Sequence, residues 1–83
     1  MSNRVSKVIE KHYNEILTDY EIILEAMKNK GDNEYVSYIW GYMFGKIEIL
    51  FQFEEITARQ LNKITEIYDD LQLIVPKYLK ANA

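Results

Sequence analysis

Residues 55–61, "EITARQL", carry the clearest local signal in the chain. Thr57 and Gln60 have the spacing of a capping box, in which a hydroxyl accepts from the backbone N–H three residues on and an amide reaches back. Ile56 and Leu61 flank the cap at the staple positions. A helix therefore starts at about residue 58. Downstream, Leu61, Ile64, Tyr68, Leu71, Val75 and Tyr78 step by threes and fours, one apolar stripe at helical period. Pro76 is the only proline. It lacks a backbone donor and restricts the residue before it, so the spacing predicts a helix over 58–75, with a kinked final turn as the one continuation.

Upstream of the cap lies the most apolar segment, "YIWGYMFGKIEILFQF", residues 38–53. It follows the turn "GDNE" at 31–34, where Asp32 or Asn33 can cap a helix. The second helix is expected over 34–54. At 100° per residue, Val36, Ile39, Trp40, Met43, Ile47 and Leu50 share one broad face. Tyr35, Tyr42, Ile49 and Phe53 extend it on one side, and Phe44 and Phe51 on the other. Lys46 interrupts this face and can snorkel. The remaining arc holds Glu34, Ser37, Gly41, Gly45, Glu48, Gln52 and Glu55. Both glycines of the stretch thus fall on the polar side.

The first segment repeats the helical step in Ile9, Tyr13, Ile16, Tyr20, Ile23 and Met27, with Leu17 and Leu24 widening the stripe. Thr18 and Glu21 also have capping-box spacing, but the stripe passes them without a phase shift, so one helix is expected over 3–30. Gly31 is the expected C-cap, and Lys28 and Lys30 suit the negative end of the helix dipole. Short connections make neighbouring helices antiparallel. The expected fold is all-α, an up-down-up three-helix bundle forming a single domain over residues 1–83.

Composition narrows the function classes. The chain has 83 residues, no cysteine, 48% hydrophobic residues and a net charge of −3. Disulfides and thiolate metal ligands are excluded. The mild acidity disfavours a general nucleic-acid binder. The N-terminus lacks the uninterrupted apolar stretch of a secretory signal, and the run at 35–44 stops short of a membrane span, so a cytoplasmic protein without membrane contact is expected.

Chemistry is sparse. His12 is the only histidine, and none of Ser2, Ser6 or Ser37 makes a nucleophile–base pair with it, so no enzyme is expected. No E-x-x-H pair, glycine-rich phosphate loop or dinucleotide fingerprint occurs. The carboxylates Glu21 with Glu25, and Glu66 with Asp69 and Asp70, read as solvated faces, and neither metal nor cofactor is expected.

Two surfaces remain as candidates. Tyr35, Tyr38, Tyr42 and Trp40 exceed what one small core needs, and tyrosine and tryptophan are enriched where interfaces concentrate binding energy. Ser37, Gly41 and Gly45 either form a shallow groove for close backbone approach or are simply tolerated in the helix. The candidate partner-binding set is therefore Ser37, Tyr38, Trp40, Gly41, Tyr42, Gly45, Glu48 and Gln52. Arg59, Gln60, Asn62 and Lys63, in the first two turns of the third helix, are side chains of the types that contact base edges, with Arg4, Lys7 and Lys11 at the same end. Glu54 and Glu55, just upstream, oppose that use.

In size and helicity the chain resembles the small acidic all-helical proteins of bacterial phages and mobile elements, many of which bind and inhibit one host protein. It is similar on the same grounds to the bacteriocin immunity proteins. Neither resemblance carries over any residue. The expectation is a non-enzymatic binding module that contacts a protein partner as inhibitor, adaptor or regulator, with self-association through leftover apolar surface. The alternatives are a DNA-binding regulator using the start of the third helix and an immunity-type bundle.

Overall fold

The computed structural model describes residues 3–83 and forms three helices among them: α1 (Asn3–Lys28), α2 (Asn33–Leu50) and α3 (Ala58–Ala81). Their directions follow from contacts between distant residues. The Asn33 side chain, opening α2, donates to the Leu79 carbonyl near the end of α3 at 3.1 Å. Lys46, late in α2, reaches Asp19 in the middle of α1. Tyr20 donates to Asp70 across α1 and α3 at 3.1 Å. The bundle is therefore up-down-up.

Three stripes meet in one core. α1 supplies Ile9, Ile16 and Ile23; α2 supplies Val36, Ile39, Met43, Ile47 and Leu50; α3 supplies Ile64, Ile67, Leu71 and Val75. No polar or charged residue is buried among the described residues. Aromatic rings pack around this thin aliphatic centre, with Tyr13, Tyr20, Trp40, Phe53, Tyr68 and Tyr78 half-buried against it. Tyr20 and Tyr78 carry their hydroxyls to the rim as expected, onto the Asp70 carboxylate and the Gly31 carbonyl. The α3 stripe differs from the expected one in two places. Ile67 is fully buried, and Leu61, on the first turn, stays exposed.

The two N-terminal caps stand where the sequence places them. Asp32 accepts from the Tyr35 N–H at 2.8 Å, and Thr57 and Gln60 close the full capping box at 3.1 Å in each direction. The C-terminal ends do not.

α1 stops at Lys28 rather than residue 30. The Lys30 N–H donates to the Met27 carbonyl at 3.1 Å and the Gly31 N–H to the Ala26 carbonyl at 2.7 Å. That pair is a Schellman motif. Its left-handed residue is Lys30, at φ 59°, and not Gly31. Glycine is needed at 31 for a different reason: a Cβ there would stand 3.0 Å from the Ala26 carbonyl oxygen.

α2 stops at Leu50 rather than residue 54. The Gln52 and Phe53 N–H groups turn back to the carbonyls of Ile49 and Leu50, tightening the end into three-residue bonds. No glycine or proline occurs between 51 and 57. The break is tertiary: the connection lays Phe53 and Ile56 against the core on its way to the cap at Thr57. Gln52 consequently leaves the helix.

α3 runs through Pro76 to Ala81 instead of ending at 75. Pro76 and Gln72, whose carbonyl loses its helical donor, both lie on the exposed side, where water can replace the missing bond. The Tyr78 and Leu79 tethers to Gly31 and Asn33 hold the last turns in place.

Candidate functional site

α2 uses one side for the core and leaves the opposite side uncovered. Ser37, Gly41, Gly45 and Glu48 are exposed along it. A Cβ built on Gly41 or Gly45 meets nothing within 4 Å. The glycine line is therefore open to solvent, and neither glycine is required by packing within the chain.

Large side chains border the glycine line. Tyr38 is 70% exposed, Tyr42 and Ile49 are each 55% exposed, and Phe44 on the other flank is 37% exposed. The Tyr38 and Tyr42 rings stack, with centroids 6.3 Å apart and planes inclined by 21°. This ledge is held from behind, because the Lys46 ammonium stands 4.3 Å over the centre of the Tyr42 ring.

Lys46 is fixed in turn from α1. It pairs with Asp19 at 3.1 Å and with Glu15 at 3.3 Å. Burial works against its charge, yet the hydrogen bonds to Asp19 and Glu15 outweigh that and raise the ammonium above its usual pKa. The same contact lowers the Glu15 carboxyl, against some burial, with a smaller contribution from His12 at 3.3 Å. One ring of the exposed tyrosine pair, Tyr42, thus rests on a part-buried cation held by two carboxylates.

The candidate set divides along these lines. Ser37, Tyr38, Gly41, Tyr42, Gly45 and Glu48 share the outer side of α2. Trp40 does not join them. It is half-buried in the α2–α3 seam, with its ring 5.7 Å from Phe44 and 6.1 Å from Tyr68. Gln52 lies in the turn beyond the helix end. Two residues left out of the set, Phe44 and Ile49, border the glycine line. Their 100° positions flank the glycine line, and that signal was available in the sequence. The carboxylates that hold Lys46 were not, since Glu15 and Asp19 depend on the register of α1.

The start of α3 is otherwise engaged. Gln60 is half-buried and its side-chain oxygen closes the capping box. Lys63 pairs with Glu66 at 3.3 Å. Arg59 and Gln60 border a depression shared with Glu10, Tyr13 and Asn14, whereas Arg4, Lys7 and Lys11 line a separate one with Val8. Asn62 is exposed on the same turns. The basic residues of the two helices thus border different depressions.

Among the described residues, no group of three or more His, Cys, Asp or Glu converges as a metal site would need. No described helix is long and apolar enough to cross a membrane. No protein-family model matches this chain, and neither does any curated protein or solved structure.

Proposed function

We propose that the chain is a non-enzymatic binding module that acts by protein–protein contact through the outer side of α2, as an inhibitor, adaptor or regulator of its partner. The carrying observation is the exposed Tyr38–Tyr42 stack, in which Lys46 backs the Tyr42 ring. Binding normally loses affinity to the ordering of side chains at the interface. Here Lys46 packs on the Tyr42 ring and Tyr38 stacks on its neighbour, and tyrosine is a residue type in which interface energy concentrates. An immunity-type action, neutralising a toxin by contact, is one case of this reading. The DNA reading is disfavoured by the capping role of Gln60, by the Lys63–Glu66 pair and by Glu10 beside Arg59.

The test is a Tyr38→Ala/Tyr42→Ala double variant, with Gly41→Ala as a control for the fold. Gly41→Ala should stabilise the chain by up to about 1 kcal/mol, since the added methyl meets open space. The double variant should keep native helicity by circular dichroism and lose the partners that the native protein retains in a pull-down. If it keeps every native partner, the reading is wrong.

A further inference from the structure

The outer side of α2 is self-complementary, and we propose that its occupant is a second copy of this chain, with the two α2 helices packed antiparallel about a two-fold axis near Met43. The inference rests on the reading of α2 as a protein-contact surface and names the occupant of that surface when no other partner is bound. A two-fold axis perpendicular to both helices places each residue beside one whose number sums with it to about 86. Gly41 then faces the partner copy's Gly45, which lets the backbones approach closely. Tyr42 meets its own copy on one flank and Phe44 its own copy on the other. Tyr38 falls beside Ile49, and the Ser37 hydroxyl beside the Glu48 carboxylate. Every bordering side chain finds an apolar or hydrogen-bonding counterpart.

Charge and area agree with this register. Glu34 and Glu48 are the charged side chains on this side of α2, and the antiparallel pairing separates the two copies of each by about 27 Å and about 15 Å along the axis at 1.5 Å per residue. Both exceed the screening length of roughly 8 Å in physiological salt. A parallel pairing would set both Glu48 carboxylates at one level. At roughly 200 Å² for a fully exposed large side chain, the exposed parts of Tyr38, Tyr42, Phe44 and Ile49 amount to about 400 Å². That is within the size of the largest apolar patch on a typical monomer, a patch that is often functional. Ser37, Glu48 and the glycines widen the footprint toward the ~600 to 800 Å² per partner of a small to standard interface, the size of a reversible dimer.

Sedimentation equilibrium and two spin-label positions test the proposal. Native protein should dimerise reversibly at micromolar to millimolar concentration. Gly41→Glu should raise the dissociation constant at least about tenfold by driving a charge between the backbones, with helicity retained because the site is open to solvent. The sequence has no cysteine, so Glu34→Cys and Glu48→Cys can each carry a single label. Antiparallel pairing predicts axial separations of about 27 Å and about 15 Å respectively. Equal short separations at both sites mean parallel pairing and overturn the proposal, as does a dimer that Gly41→Glu leaves intact. A native protein that stays monomeric at millimolar concentration also overturns it. In that case loss of a different partner by Tyr38→Ala/Tyr42→Ala would leave the broader function standing.

Discussion

At residue scale, the turn after α1 assigns two adjacent positions in an unexpected order. Lys30 holds the left-handed conformation, in which a Cβ crowds the following carbonyl, and Gly31 sits where a Cβ would press on Ala26. Lys30→Gly should therefore stabilise the fold by about 1 kcal/mol, and Gly31→Ala should destabilise it by a similar amount. Urea unfolding of the two variants checks both signs. If glycine at 30 has no effect, Lys30 is not strained in solution. The sequence shows a glycine at this turn but not which of two neighbours needs it. That depends on whether the chain closes with a five-residue or a six-residue bond, a difference of a fraction of a turn.

At the scale of elements, helix starts were legible and helix ends were not. Asp32 and Thr57 cap by bonding backbone three residues ahead, so a window of four residues contains the whole signal. The ends at Leu50 and Ala81 are decided by partners far away in the chain. Asn33–Leu79 and Gly31–Tyr78 span 46 and 47 residues, and they keep α3 helical past the proline that should have stopped it. Tertiary contact overrides local propensity there. Pro76→Ala should restore the missing bond to Gln72 and raise stability by about 1 to 3 kcal/mol. Thermal unfolding is the measurement, and a lower midpoint would mean that the proline helps to shape the last turns. The candidate site shows the same division. The outer arc of Ser37, Gly41, Gly45 and Glu48 follows from helical period alone. The loss of Trp40 to the α3 seam and of Gln52 to the turn required knowing where the neighbouring helices lie.

For the whole molecule, a rod of 47 × 17 × 16 Å is held along its seams by a few polar links outside an apolar centre. Tyr20 is raised above its ordinary pKa, first by burial and then by its bond to Asp70. Lys46 is raised by its carboxylate partners against the effect of burial. Each contributes stability that is fully present below its ordinary pKa and lost as pH rises through the raised folded value. Glu15 is lowered, so its contribution is present above the ordinary carboxylate range and lost as pH falls through the lowered value. Stability measured by urea unfolding should accordingly decline above pH 10 and again in acid. Tyr20→Phe and Lys46→Met should each flatten the alkaline decline, and an unchanged profile in both would remove these links from the account. The placement of Trp40 has an optical consequence. As the only tryptophan, set beside Phe44 and Tyr68, it makes indole emission a gauge chiefly of the α2–α3 seam. Fluorescence and circular dichroism therefore watch different parts of the bundle. Where their unfolding curves coincide, all three helices leave together; where ellipticity falls first, α1 has peeled away from a hairpin that is still closed.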